Sequence, residues 1–316
     1  MKKEDKQLAN LGVEDRFKGC LLGLAIGDAV GTTLEFKARG TFSPIKDMEG
    51  GGPFELEKGQ WTDDTSMALC LAHSLVYKQG FDAIDQMNRY CNWWQWGYMS
   101  STGDCFDIGA TVVRALSSYL ETKNPFSGSY HPDSAGNGSL MRLAPIAMFY
   151  HSDLDALVKY AGDSSRTTHA AEECIDSCRY FATLLHQAFN GKTKAEIITS
   201  SLYKPSTLKV HTISQCEYLE KNVNDIRGSG YVIDCLEAAL WCFAKTDSFE
   251  AAILAAANLG DDADTTAAVC GQIAGAYYGV NGIKREWLDA VHMNNEIEML
   301  SENINENRTR KKNTEI

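Results

Sequence analysis

Two short acid-rich runs carry the residue types best suited to chemistry. The first is Thr62-Asp63-Asp64-Thr65, directly after Trp61, and the second is Asp261-Asp262-Ala263-Asp264-Thr265-Thr266, near the far end of the chain. Carboxylates and hydroxyls are hard oxygen donors suited to Mg²⁺, Mn²⁺ or Ca²⁺, and neither run contains Cys or His. Acids crowded into a cleft repel one another, and a divalent cation removes that repulsion while keeping them ionised. Each run leads into an apolar segment of helical period, so the acids fall at helix starts, where the helix dipole favours negative charge by about 0.3–1 kcal/mol per group. Asp and Thr are also ordinary N-cap residues, and one run alone reads as capping. Capping has no use for four carboxylates, Asp63, Asp64, Asp262 and Asp264, in two runs that also carry threonines. Taken together, the runs read as two halves of one metal site.

Elements must bring these halves together. The chain has 316 residues, 44% of them hydrophobic, ample for a core in one large domain or two ordinary ones. Six prolines and little Val/Ile alternation point away from sheets. Apolar residues recur at helical spacing and predict an all-α fold, with helices near residues 14–30, 65–79, 107–120, 140–149, 153–162, 169–189, 231–244, 249–258 and 264–278. In the first of these, Gly19, Gly23, Gly27 and Gly31 form a smooth ridge suited to close helix packing. There is no GxGxxG and no Walker-type Lys-Ser or Lys-Thr, which excludes nucleotide loops of those kinds. The polar loop 37–60, with Gly50-Gly51-Gly52-Pro53, precedes the first acid run and is placed to shape or cover the site. Residues 1–300 are expected to form a single domain, and residues 301–316, rich in Asn, Glu, Lys and Arg, a flexible tail.

The net charge of −12, from 42 acidic and 30 basic side chains, argues against a nucleic-acid or anionic-membrane binder, while leaving room for a local phosphate pocket. Ten cysteines are scattered from Cys20 to Cys270 without a CxxC pair, and Cys70, Cys174, Cys178 and Cys242 sit in apolar helical segments. They read as buried reduced thiols. Residues 1–10 lack a signal-type apolar core, and the apolar stretch 20–30 is too short to span a membrane and contains Asp28. A cytoplasmic protein without a membrane span is therefore expected.

The chain resembles the ADP-ribosylglycohydrolase family through an ordered set of motifs that spans most of its length. These are Gly23-Leu24-Ala25-Ile26-Gly27-Asp28-Ala29-Val30-Gly31 with Glu35, Trp61-Thr62-Asp63-Asp64-Thr65, Gly136-Asn137-Gly138-Ser139-Leu140-Met141-Arg142, Thr168-His169 and Gly260-Asp261-Asp262-Ala263-Asp264-Thr265. The stretches 96–109 and 230–241 resemble the branch containing the bacterial dinitrogenase reductase-activating glycohydrolases. One departure is visible: the family usually has Gly-Gly-Asp-x-Asp-Thr, and Asp261 stands here in place of the second Gly.

The resemblance implies a compact orthogonal multi-helix domain with a dinuclear metal cleft holding two divalent cations, Mg²⁺ or Mn²⁺. Their implied ligands are Thr62, Asp63, Asp64, Asp262, Asp264 and Thr265. The implied activity is hydrolysis of the N-glycosidic bond between ADP-ribose and an arginine side chain, with an ADP-ribosylated protein as substrate, ADP-ribose as product, and a monomeric enzyme. A metal pair can chelate ribose hydroxyls and orient a water, and carboxylates near the ring stabilise the positive charge of glycosidic cleavage. Asp107 and Glu35 are the implied catalytic carboxylates; a helix N-cap and a solvated loop acid are their alternative roles. Gly136, Asn137, Gly138, Ser139, Arg142, His169 and Tyr231 are implied to hold the ADP moiety, with backbone amides for the diphosphate. Two alternatives stay open, an ADP-ribose-binding member without turnover and one acting on another ADP-ribosyl linkage. A DxDxT phosphatase, built on Asp262-Ala263-Asp264-Thr265-Thr266, needs a preceding buried strand, whereas residues 251–258 are alanine-rich and helical in pattern.

Overall fold

Four glycines at a spacing of four leave one face of the first helix, α1 (Val13–Gly31), without side chains. In the computed structural model, which describes residues 8 and 11–314, that face lies directly on the backbone of α12 (Ala263–Tyr278). A methyl group added at Gly19, Gly23, Gly27 or Gly31 would sit 2.3, 2.3, 2.1 or 2.4 Å from the carbonyl oxygens of Gly275, Gly271, Ala267 and Ala263 respectively. Partner numbers fall as ridge numbers rise, so the two helices run antiparallel in contact along their whole length. The ridge therefore does what its spacing predicts. Buried Arg16 closes the far end of the pair, donating to the carbonyls of Ala276 and Tyr277 at 3.0 and 2.9 Å in the last turn of α12.

Around this pair pack α2 (Asp63–Lys78), α3 (Ala83–Trp96), α4 (Ala110–Thr122), α5 (Ala144–Phe149), α6 (Leu154–Arg166), α7 (Glu172–Phe189), α8 (Lys194–Ile198), α9 (Leu208–Ser214), α10 (Val232–Lys245), α11 (Phe249–Ala257), α13 (Arg285–Ala290) and α14 (Asn294–Thr314). Among the described residues there is no strand, only isolated bridges such as Gly136 with Tyr231, so the all-α expectation holds. All ten cysteines are free and eight are buried, as their spacing predicts. By length and composition the segment Val13–Leu34 could cross a membrane, and it is longer than the 20–30 stretch judged too short; 94% of its apolar window is buried inside this fold.

Three expectations need correction. The helix expected over 107–120 begins at Ala110 with Gly109 as its N-cap, because the left-handed backbone of Asp107 (φ 58°) interrupts a helical run from that residue. Helices α3, α8, α9, α13 and α14 are absent from the expected set; α8, α9 and α13 span only five to seven residues, too few for a helical period to show, whereas α3 carries a clear apolar face on Met87, Tyr90, Cys91 and Trp93 that the sequence reading missed. Residues 301–314, expected to be flexible, continue α14. Its inward face explains this: Ile304 is fully buried, and Asn307 donates to the carbonyl of Val76 on α2. Residues 1–7, 9, 10, 315 and 316, which belong to the expected domain ends and tail, lie outside the described residues.

Candidate active site

Both acid runs do open helices, α2 and α12, yet neither acts as a cap. Thr62 and Asp262 occupy the N-cap positions without any side-chain capping bond. Thr62 is turned instead toward Asp28, a fully buried acid on α1. Asp28 Oδ1 accepts from the Thr62 amide and hydroxyl, both at 2.9 Å, and Oδ2 accepts from the Thr65 amide at 3.0 Å and its hydroxyl at 2.6 Å. One carboxylate thus takes over capping for α2 from a neighbouring helix, and orients Thr62 and Thr65 as donors to itself. Glu35 does the same for α12, where its Oε2 accepts from the amides of Ala263 and Asp264 at 2.8 and 3.4 Å.

With capping supplied from outside, the acids of the two runs are free to converge. Ligand-competent oxygens of Asp28, Asp64 and Asp264 lie within 4.8 Å of one another, and so do those of Glu35, Asp262 and Asp264. Asp264 belongs to both groups. The Thr62 hydroxyl lies 3.4 Å from both Asp64 and Asp264, and the Thr265 hydroxyl lies 3.4 Å from Asp64. All six expected metal-site residues therefore fall at the paired starts of α2 and α12, although Asp63 is in neither close group.

The electrostatics are those of a site built for positive charge. Burial first, then Asp262 and Asp28, push Asp264 up to about 7 against a hydrogen bond with Glu35 that pulls it down. Burial and neighbouring acids hold Asp63 and Asp64 well above the carboxylate range. Burial, then Asp264, does the same to Glu35. Burial raises Asp28 to about 6 despite its four donors. Burial raises Asp107 too, to about 11, followed by the charges of Asp63 and Asp264. No cation is among the leading causes for any of these acids, and buried Asp64 Oδ1 has no hydrogen-bond partner. Unpaired buried carboxylates are costly unless something positive holds them. The donor set, oxygen throughout, fits hard divalent cations. Both Asp28 oxygens are already filled by donors, so its place is behind Thr62 and Thr65, orienting them.

Beside this cluster lies a cleft of about 500 Å³, lined among others by Gly136, Glu173, Lys209, Gly230 and Tyr231. It adjoins the acids at two points. Asn137, next to Gly136, donates from Nδ2 to Asp262 Oδ2 at 2.9 Å, and a methyl at Gly230 would stand 3.2 Å from that oxygen. Tyr231 is fixed in the cleft wall: its hydroxyl donates to Glu173 and accepts from Lys209 Nζ at 2.6 Å.

His169 packs against Gly138, where a methyl would meet its ring at 2.8 Å. Burial, with the Arg142 charge behind it, lowers His169 to about 3, so the ring is neutral. Arg142 donates to Thr168 Oγ1 at 2.7 Å, which leaves the Thr168 hydroxyl proton for His169 Nδ1 at 2.9 Å. That chain assigns the remaining ring proton to Nε2, on the side of the Gly136–Gly138 loop.

Two expected substrate contacts are not available. Arg142 is fully buried, bonded to the Gly138 carbonyl at 2.7 Å and to Thr168, and its guanidinium lies over the Tyr90 ring at 4.8 Å; it braces the loop. The Ser139 side chain also points inward, accepting from Ser165 at 2.8 Å. The amides of Gly136 and Asn137 are spent on Ser134 and Gly230, whereas those of Gly138 and Ser139 donate to no protein acceptor among the described residues. Asp28, Glu173 and Lys209 were not singled out from sequence. Only Asp28 carries a signal, as the one acid of the apolar stretch 20–30. The DxDxT phosphatase has no support, since helix α11 precedes the motif.

The fold and these paired acid runs define an all-α protein with an oxygen-donor site suited to divalent cations. The ADP-ribosylglycohydrolase family model matches residues 9–314, and the chain belongs to that family. It is 46% identical over 292 residues to the ADP-ribosylarginine hydrolase Tri1 of Pseudomonas putida (strain GB-1), covering 92% of this chain and 78% of that protein. It is 30% identical over 293 residues to the ADP-ribosyl-[dinitrogen reductase] glycohydrolase of Rhodospirillum rubrum, covering 91% and 94%. A solved structure titled ADP-ribosylglycohydrolase-related protein complex superposes with a TM-score of 0.84 at 39% identity, over 94% of this chain and 99% of that one.

Proposed function

We propose that the protein hydrolyses the N-glycosidic bond between C1″ of ADP-ribose and the guanidine of an arginine in a modified protein. The observation that carries this is the convergence of two acid groups on Asp264 beside a cleft of nucleotide-fragment size. Its relatives named as ADP-ribosylarginine hydrolases, at 44–46% identity, support arginine as the linkage.

Thr62, Asp63, Asp64, Asp262, Asp264 and Thr265 would hold a pair of divalent cations, magnesium or manganese, with Asp264 common to both acid groups. When bound, such a pair binds ribose hydroxyls and lowers the pKa of a water to near neutrality. The chain's own residues do the rest. The cleft takes the ADP moiety: Tyr231 and Gly136 form its wall, the Gly138 and Ser139 amides and His169 Nε2–H donate to the diphosphate, and Asn137 ties this wall to the acids. Water oxygen bonds to C1″ as the C1″–N bond breaks, and the bond pair goes to the guanidine nitrogen. Asp107 and Glu35 stand beside the developing ribosyl cation and handle the protons, one leaving the water and one reaching the guanidine. The products are ADP-ribose and unmodified arginine.

The test is incubation of an arginine-ADP-ribosylated protein with the enzyme and Mn²⁺, then with chelator, scoring released ADP-ribose. Release in Mn²⁺, its loss in chelator and its fall by about 10²–10⁴-fold in Asp107→Asn are expected. No release with manganese present sinks the proposal.

A further inference from the structure

Three phenylalanines join the two segments that carry the proposed catalytic acids. Phe36 follows Glu35, and Phe106 precedes Asp107. Phe54, from the loop between them in sequence, bridges the two, with ring centroids 6.3 Å from Phe36 and 5.3 Å from Phe106. The Asp107 charge reaches Glu35, and both acids interact with the Asp264 side chain, so the row of rings lies along the edge of the site that carries the two acids. Phe36 is 68% exposed, although burying a phenylalanine is worth roughly 1.5–3 kcal/mol. Phe54 and Phe106 are half-buried.

Each ring sits at or beside a residue with left-handed backbone. Phe36 itself, Glu55 beside Phe54, and Asp107 beside Phe106 all have left-handed conformations, at φ 60°, 53° and 58°. Asp261, whose carbonyl accepts from the Phe36 amide at 2.8 Å, is left-handed as well at φ 58°. Such positions are uncommon outside glycine and cluster where a site needs a particular geometry. The surroundings are largely acidic, with Glu55, Asp104 and Asp261 exposed and Lys37 as a neighbouring cation.

An aromatic row at the rim of an acidic site suits a flat, delocalised cation: guanidinium stacks on aromatic faces, and it remains charged at any physiological pH. We propose that Phe36, Phe54 and Phe106 form the seat of the arginine guanidinium, so that this edge selects a cationic leaving group. The inference rests on the function proposed above and names the residues that set its linkage preference. The Gly136–Tyr231 cleft proposed for the ADP moiety is lined by none of the three rings.

The experiment compares Phe36→Leu and Phe54→Leu, which keep apolar bulk but remove the aromatic face, with Phe36→Trp, which restores it. In Mn²⁺, KM for an ADP-ribosyl-arginine peptide is expected to rise roughly tenfold in each leucine variant and to return in Phe36→Trp, the scale of one partly desolvated cation–π contact. The inhibition constant of free ADP-ribose should stay within twofold of the parent. A KM that stays within twofold, or an ADP-ribose constant that rises in parallel, overturns the seat. Calorimetric titration of agmatine, a free guanidinium probe, separates the two proposals. If the protein does not hydrolyse arginine linkages yet binds agmatine in a Phe36-dependent manner, the function fails and the seat stands. Agmatine binding unaffected by Phe36→Leu, or absent, removes the seat alone.

Discussion

Asp264→Asn should make the metal-free protein more stable and the metal-loaded protein less so. Asp264 sits in both acid groups and is raised from 3.8 to about 7 by burial and by its acidic neighbours. Three units at about 1.4 kcal/mol each amount to about 4 kcal/mol of penalty for holding this group ionised in the fold. The sign follows from the two states. Below pH ~4 folded and unfolded chains are both protonated at this position and nothing is lost. Between there and pH ~7 the unfolded chain ionises while the folded one keeps its proton, so stability falls as pH rises. Above pH ~7 the penalty is complete.

Asparagine carries no charge, and its Oδ1 can keep the bond accepted from the Thr265 amide at 2.7 Å, so little is lost in exchange. In chelator at pH 8 the variant should therefore melt several degrees above the parent, with the difference shrinking toward pH 4. Saturating Mn²⁺ at about a hundredfold over Kd adds about 2.7 kcal/mol to the parent, and little of this should remain in the variant. Thermal unfolding followed by circular dichroism, with and without manganese and across pH 4–8, reads both effects. A variant that melts below the parent in chelator at pH 8, or that shows the parent's full manganese shift, refutes the view of Asp264 as the shared centre of a cation site.

Asp28→Ala leaves the amides of Thr62 and Thr65 without their acceptor, at about 1–3 kcal/mol each, and removes the group that orients two hydroxyls. Manganese affinity by calorimetry should fall about 10–100-fold even though Asp28 has no oxygen free to bind the ion; unchanged affinity would show that the start of α2 holds its own shape. Gly27→Ala places a methyl 2.1 Å from the Ala267 carbonyl oxygen, and should cost about 1–3 kcal/mol in denaturant unfolding together with a smaller manganese shift. A loss of stability with the full manganese shift would separate the helix contact from the site.

Much of this was legible because it follows from local pattern. The glycine spacing of α1 and the acid–threonine runs at helix starts each point to one structure, and both were found as expected. What sequence could not show was direction. Arg142 and Ser139 have the right types for a diphosphate site, but whether a polar side chain faces the cleft or braces the loop behind it depends on partners far away in sequence, here Thr168 and Ser165. The alternative role of Asp107 as an N-cap rests on the apolar period that follows it, and the left-handed backbone of Asp107 with the helix start at Ala110 removes that role. Asp261 is the converse case. The family pattern has glycine there, and this chain keeps the left-handed backbone that glycine would allow, using one of the few other residues that tolerates it.

The contact between α1 and α12 ties the packing of the core to its chemistry. Asp28 follows Gly27 on α1, and Gly31, one turn further on, lies against Ala263 and Asp264 at the start of α12. Because no side chain separates the two backbones, an acid on one helix comes within 4.8 Å of an acid on the other, and both are within reach of Asp64 on α2. With side chains of ordinary size on the ridge, helix axes stand about 8–10 Å apart, and Asp28 could not both hold the start of α2 and approach Asp264. The glycines that look like a device for close packing are thus also what sets the distance between the two halves of the acid site. Three carboxylates brought together from α1, α2 and α12 repel one another, so the same contact that compacts the core makes the metal-free fold less stable at neutral pH, and gives a bound cation its leverage on the whole domain.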